Sequence, residues 1–559
     1  MYNETKDFIL RKENLENVID IREDLSKIGL YGLQIPLRYG GLGLNHIQSS
    51  RVWESIGIHQ SITNHLIYHC NYVARAIEKF GVDAQKDQYL PKLSNGSIIG
   101  SFCLAEDSCG SDVGSVDCLA TPSENGKILL NGTKRFITNG KHSDLFLVQA
   151  KLPSTQHSEE EKICLFLISK ESHDFNKILI SPRLNVASHS ACEINDIKFD
   201  NLEVGQEDIL SSELGNGFKQ SQYLTNSNGL VVASSLLGLL RYLYSYTLEH
   251  VISRYQFGKA LCEFPIVQVS LADMASDIYA LESGVYLISG LLDESTVDRD
   301  LTAEMAALKV FSVETATQWI TSLIELFGAI GFHKQLELDQ TLLNILALKT
   351  MHMPNKLLLN NIGLSGLMYQ GINSDFANKR LNKFRSFRSI ARYIFERDSF
   401  KFGKRYPVVV RTDAESSRNQ NNDESFLLAD HLHFNLRPLA DNISSRVMKF
   451  SHLTEKINRS LLGALELEQE PNLICGQISI DMLMNFCVLS RLNRALSIGL
   501  PKVSEEKQLT ELFTLRCFNN IDRSFEKANG YMNESHRKIS AAMIRERGYS
   551  ITHPTSRVW

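Results

Sequence analysis

Hydrophobic spacing divides the chain into regions of different period. In residues 1–100 the apolar positions Leu15, Val18, Ile19, Ile21, Leu25 and Ile28 recur at helical intervals and predict a helix over Asn14–Ile28. A second helical pattern covers about Ile62–Phe80, after a Pro/Gly-rich loop at Ile35–Leu44. From residue 101 to 212 the runs shorten. Ile98–Leu104, Ile128–Leu130, Leu145–Val148, Ile163–Ile168 and Glu193–Phe199 read as strands, with a turn at Glu124-Asn125-Gly126 and an exposed polar loop at Ser154–Glu161. The helical period returns from Gly215 to about Gln370. It includes Gly229–Leu240, which reads as a buried helix, and the long stretch Met305–Gly331 behind the acidic loop Asp293–Asp300.

Beyond residue 370 the polar pattern carries the information. Lys379–Arg405 holds ten Lys/Arg against Glu396 and Asp398, interleaved with aromatic side chains such as Phe384, Phe387, Tyr393 and Phe402. A solvated basic helix and a segment lying on anionic lipid or a partner both fit that pattern. Arg411–Ser425 is apolar-poor and reads as a linker. Leu427 to Arg545 is again helical, with breaks at Glu470-Pro471 and Gly499–Pro501. The expected division is a helical domain over 1–100, a β-domain over 101–212, a helical domain over 213–370, a basic segment and linker over 371–425, and a last helical domain over 426–559.

Composition narrows the functional classes. A chain of 559 residues implies more than one domain, and 43% hydrophobic content is that of packed globular protein. A net charge of −5 argues against a nucleic-acid partner. The ten cysteines form no CxxC pair, so neither a metal site nor a redox motif is expected. No uninterrupted apolar run has the length of a membrane span, and the N-terminus MYNETKDFIL has the pattern of neither a secretory signal nor an Arg-rich transit peptide.

Candidate chemistry lies in two stretches. Ser101–Ser115 (SFCLAEDSCGSDVGS) reads as a strand that ends in a loop of glycines and hydroxyls, open toward a ligand. Asn131–Asn139 (NGTKRFITN) reads as a second turn. Phe102–Ser115 resembles the first flavin loop of the acyl-CoA dehydrogenase family, FCLTEPxxGSDxxS, and Asn131–Gly140 resembles the second, NGxKxWITNG. Arg254–Gln268 (RYQFGKALCEFPIVQ) is similar to the family's RxQFGxxLxxFxxxQ, and Gly328–Phe332 (GAIGF) to its GGxGF turn. The helical block after residue 370 is similar to the extension of the very-long-chain branch. Val488–Leu500 and Arg547–Arg557 most resemble a branch member tied to assembly of respiratory complex I.

The resemblance implies an α+β acyl-CoA dehydrogenase fold: an N-terminal helical domain, a central β-domain, a C-terminal four-helix domain, and here an extra helical domain. It implies FAD, held by Phe102, Leu104, Gly110, Ser111, Phe136, Ile137 and Thr138, with Arg254 and Phe257 reaching the FAD of a second subunit in a homodimer. Ser111 would stand at the border with an acyl-CoA substrate. The implied location is mitochondrial, peripheral to the inner membrane on the matrix side, with 379–405 on anionic lipid and complex I assembly proteins as partners.

The reaction of the family removes an α-proton and needs a positioned carboxylate. The family's Glu-Gly-Thr-Asn falls on His352-Met353-Pro354-Asn355, and the alternative base position on an earlier helix falls near Asn228. The CoA arginine falls on Gly229, the flavin-facing threonine on Ala105, and the glutamine before the glycine turn on Glu325. His352 is therefore read as a packing or helix-surface histidine rather than a base, and the fold as a scaffold without dehydrogenation. An FAD-dependent very-long-chain dehydrogenase of fatty acid β-oxidation is the alternative.

Overall fold

The computed structural model describes the chain except residues 13–14, 124–126, 154–161, 212–213, 295–299, 381–427, 461–468, 531–534, 550 and 552–559. The basic aromatic segment beyond Arg380, the linker, the turn at 124–126 and the polar loop at 154–161 lie outside the described residues. Six helices open the chain: α1 (Tyr2–Leu10), α2 (Arg22–Lys27), α3 (His46–Ile56), α4 (Gln60–Leu66), α5 (Arg75–Phe80) and α6 (Asp83–Ser94). The expected helix over Asn14–Ile28 is shorter. A 3₁₀ turn at Val18–Ile21, whose first N–H groups Asn17 caps, leads into α2. Between α4 and α5 the backbone runs as a π-helix over Ile67–Ala74.

The β-domain has β1 (Gly100–Cys103), β2 (Leu119–Pro122), β3 (Ile128–Thr138), β4 (Leu145–Leu152), β5 (Lys162–Ser169), β6 (Ile178–Ile180) and β7 (Ile194–Val204). They form one sheet in the order β1-β4-β2-β3-β7-β6, with β5 paired to β4. Its own apolar cluster includes Phe146, Phe166, Ile197 and Phe199. Two expectations change here. NGTKRFITN is strand to Thr138, because β3 pairs with β7 along most of its length and absorbs the irregular residues as register shifts at Leu130/Gly132 and Lys134/Ile137. The strands β2 and β6 carry too little alternation to be read from sequence.

Helix α7 (Gly217–Ser253) leads to the hairpin β8 (Tyr255–Gln256) and β9 (Lys259–Ala260). Then come α8 (Pro265–Asp293), α9 (Thr302–Phe327), α10 (Leu338–Leu348) and α11 (Asn355–Arg380). Backbones approach closely in this bundle. A Cβ at Gly238 of α7 would overlap the carbonyl of Glu54 on α3, and one at Gly229 would overlap that of Met305 on α9. Glycine is what lets these helices pack at that distance.

The last helices are α12 (Arg437–Ser460), α13 (Gln469–Ile498), α14 (Val503–Gly530) and α15 (Ser535–Arg545). The expected break at Glu470-Pro471 is the first turn of α13, where proline lacks no needed hydrogen bond. Although it holds no uninterrupted apolar run of that length, α13 is long and apolar enough on average to cross a membrane. However, 67% of its apolar window is buried against the protein, which makes it a core helix. Glu282 on α8 ties the layers, accepting from Arg241 of α7 at 2.7 Å and from Arg491 of α13 at 2.7 Å.

Candidate functional site

Glu106 and Lys134 hold the two motif stretches together. Lys134 on β3 is fully buried, and its Nζ donates to Glu106 Oε1 at 2.5 Å and to the Leu104 carbonyl at 3.1 Å. The Glu106 carboxylate also accepts the backbone N–H of Asp117 at 2.6 Å and of Cys118 at 3.2 Å. A buried ion pair is tolerable when such extra bonds satisfy the remaining lone pairs. The clasp pins the loop after β1 to β3, helped by Arg135 N–H to the Ala105 carbonyl at 2.8 Å.

At the bulge in β3, Phe136 takes a left-handed backbone (φ 56) and turns out, 58% exposed, while Thr138 turns in and is 1% exposed. Asn139, also left-handed, bonds His65 Nδ1 at 2.7 Å and anchors the strand end to α4. The facing wall is the π-helix. Tyr68 and Tyr72, four residues apart, lie on the same side of it and stack with ring centres 5.2 Å apart. Single-turn π geometry is often found at functional sites. Tyr72 also stacks on Phe102 (4.8 Å) and on His352 (5.7 Å), and its hydroxyl shares a 3.0 Å hydrogen bond with His352 Nδ1.

His352 sits in the turn between α10 and α11, not on a helix surface. It and Met353 adopt consecutive left-handed conformations (φ 53 and 79), a strained arrangement for non-glycine residues. The turn is held from below by Lys309 of α9, which donates to the Met353 carbonyl (2.8 Å) and to Asn355 Oδ1 (2.7 Å). Burial brings the His352 pKa down to about 3, with the Lys309 charge as a second cause. Its imidazole is thus neutral at ordinary pH, and its buried Nε2 has no hydrogen-bond partner. His189 is likewise pushed to about 4 by burial.

These elements enclose a cleft of about 540 Å³. Of the residues singled out from sequence, Phe102, Leu104, Gly110, Ser111, Phe136, Ile137, Thr138 and His352 meet there. A Cβ at Gly110 would meet nothing within 4 Å, so the loop has no steric need for that glycine. Arg254 and Phe257 are absent from the cleft wall. They stand on the β8–β9 hairpin, with Phe257 95% exposed. Tyr68, Tyr72, His189 and Lys309 were not anticipated as site residues. The only sequence signal was the four-residue spacing of the two tyrosines, which also fits a core stripe. Among the described residues the cleft wall contains no carboxylate, and its one permanently charged group is Arg135.

Lys309 makes a prediction. Burial lowers its amine from 10.5 to about 7, opposed by Glu314. Between pH 7 and 10 the unfolded chain keeps a proton that the folded chain sheds, so stability rises with pH across that window. Below pH 7 both states are protonated and the contribution is flat at its lowest. The stability of Lys309→Met relative to the native chain should therefore fall by about 1 kcal/mol per pH unit between pH 7.5 and 9. Parallel thermal midpoints for the two proteins across that range would refute it.

The chain matches the descriptions "Acyl-CoA dehydrogenase, N-terminal domain" over residues 8–97, "middle domain" over 101–202 and "C-terminal domain" over 215–365. It is 30% identical over 315 residues to isovaleryl-CoA dehydrogenase, mitochondrial, of Oryza sativa, covering 55% of this chain and 73% of that protein. The chain belongs to the acyl-CoA dehydrogenase family. Within it, very long-chain specific acyl-CoA dehydrogenase of Rattus norvegicus is 28% identical over 97% of this chain and 81% of its own length. The solved acyl-CoA dehydrogenase of Bacillus anthracis, described as complexed with FAD, superposes with a TM-score of 0.78 at 20% identity. That match covers 99% of this chain and 91% of the other, so the family fold extends through the C-terminal helices.

Proposed function

We propose that this chain is a mitochondrial acyl-CoA dehydrogenase-like protein of the very-long-chain branch, most like family member nine. In this reading it has lost dehydrogenation and serves as a scaffold in respiratory complex I assembly. One observation carries the loss of chemistry: no carboxylate faces the cleft among the described residues. The groups that do titrate there are held uncharged by burial. A base with a pKa near 3 is too weak for the α-proton of a thioester, since efficient bases lie near the working pH. The position of the CoA arginine, Gly229, has no room for any side chain against the carbonyl of Met305. The relatives' mitochondrial names support the location.

The cleft still fits a flavin in outline. Its β-side wall offers the outward Phe136 ring, the Thr138 and Ser111 hydroxyls and the backbone of Phe102 and Leu104, in a space large enough for a tricyclic ring. When bound, FAD supplies a hydride acceptor. Phe102, Leu104, Gly110, Ser111, Phe136, Ile137 and Thr138 would hold it, with Arg254 and Phe257 of a second copy. The exposure of Phe257, Tyr255, Ile266 and Val269 around the hairpin supports a homodimer through that face. On the opposite wall, Tyr68, Tyr72 and His352 fill space with stacked rings and exclude water without presenting a charged base. The proposed contact of 379–405 with anionic inner-membrane lipid rests on composition.

The specific observation favouring the alternative reading is the partnerless Nε2 of His352, which would make the protein an FAD-dependent dehydrogenase with an imidazole base. Anaerobic titration of the FAD-loaded protein with palmitoyl-CoA separates the two. The expected flavin absorbance stays unbleached, and stoichiometric bleaching would overturn the scaffold reading.

A further inference from the structure

We propose that a narrow apolar slot between the C-terminal helices and the preceding bundle binds the end of a single hydrocarbon chain carried by a neutral lipid, such as a long-chain alcohol. The slot measures about 80 Å³ and lies where α12 and α13 pack on α8, α9 and α11. It shares no lining residue with the cleft. That volume is roughly half of a cavity that holds a benzene ring, so it admits the last few carbons of one chain.

The wall is built to be apolar. Leu287, Ile288 and Leu291 of α8 form it with Ile362 of α11, Phe450 of α12 and Leu483 of α13. Its hydroxyls turn back on their own helices. Thr454 Oγ1 donates to the carbonyls of Phe450 (3.1 Å) and Ser451 (2.8 Å), and Ser479 Oγ donates to that of Cys475 (2.9 Å). Neither hydroxyl proton is left for a ligand. Burial pushes the Cys475 thiol up to about 12, so it stays protonated and packs as a small hydrophobe. A space so lined offers water few partners. Left empty, it forfeits dispersion contacts that an alkyl chain supplies.

Two glycines on α11 play different parts. A Cβ at Gly363 would overlap the Asn472 carbonyl of α13, so that glycine sets the spacing of the helices. A Cβ at Gly366 would meet nothing within 4 Å, so the missing side chain there leaves the slot open and serves no helix contact. Gly366, Ala303, Glu304 and Ser479 are half-buried and mark the edge where a chain enters. Glu304 is the one charged group in the wall among the described residues. An anionic head would be drawn toward that like charge and a hydroxyl head would not, which selects a neutral lipid over a fatty acid.

The test is photolabelling of the full chain with a long-chain alcohol whose terminal carbon bears a diazirine, followed by peptide mapping, which reports the site directly. Labels should fall on α11 and α13 around Leu367, Cys475 and Leu483, and decanol should compete at least ~10-fold better than decanoate. Gly366→Leu fills the slot and should lose this labelling. Ser479→Leu blocks the slot from the opposite wall and serves if Gly366→Leu fails to fold. No label at the slot, label confined to cleft peptides such as Met351–Pro354, slot label that a folded variant retains, or equal competition by decanoate overturns the proposal.

Discussion

His352→Glu combined with Gly229→Arg, which restores both groups that the family reading finds missing, is expected to give no palmitoyl-CoA oxidation and a protein destabilised by more than ~3 kcal/mol. The two halves fail for different reasons. At position 229 a Cβ already overlaps the backbone of Met305, and both α7 and α9 are anchored along their length in the main apolar cluster. No rotamer change can make room. At position 352 the new carboxylate would enter a pocket of stacked tyrosines, lose the bond from Tyr72 and come under the charge of Lys309. It would pair with the amine below it rather than stand ready as a base. The single variants distinguish these causes. His352→Glu should fold and remain below detection in anaerobic flavin bleaching, while Gly229→Arg should be recovered, if at all, with a strongly lowered melting midpoint. Turnover by His352→Glu alone would mean that only the base had been lost, and the scaffold reading would fall.

Lys134→Met is the second large effect. Removing one partner of a buried ion pair leaves the other charged group without compensation, at a cost of about 3–5 kcal/mol. Here Glu106 would keep its two backbone N–H donors but lose the cation at 2.5 Å. The loss is local to the clasp, so hydrogen exchange should show deprotection over Ser101–Ser115 and β3 before the helical domains respond. Glu106→Leu combined with Lys134→Met should recover most of the loss, because two apolar groups leave no buried charge. If the double variant is as unstable as the sum of the singles, the clasp is not an energetic unit.

Much of the fold was legible. The return from period two to period 3.6 near residue 215 marks the passage from sheet to bundle, because α7 to α9 bury most of one face along their length. The sequence boundaries failed where local signal and tertiary need diverge. NGTKRFITN carries the composition of a turn, yet β7 supplies hydrogen-bond partners along it, so the stretch stays in the sheet and spends its irregularity on bulges. The amphipathic-looking run at Asn14–Ile28 never accumulates a full helix, because the packing of Val18 and Ile21 fits a 3₁₀ entry.

The candidate site divides in the same way. The β-side of the cleft, from Phe102 to Thr138, could be named residue by residue, since its backbone geometry rests on short contiguous motifs. The helical side could not. Tyr68 and Tyr72 look like core spacing in any helix, and only the docking of that helix against β1 and the turn at His352 sets both rings in one cleft. Lys309 lies 43 positions before His352 in the chain. Its role depends on a turn whose carbonyls reach it only in the folded bundle.

By itself, then, the sequence determined the order of helical and β regions and the two loops that line one wall, because residue identity and short-range spacing are local properties of the chain. What faces those loops across the cleft was decided by the tertiary structure alone. Burial decides that His352 is neutral, and the approach of two backbones decides that Gly229 admits no side chain. Each of these depends on which distant segments exclude water from a group, and no local pattern encodes that.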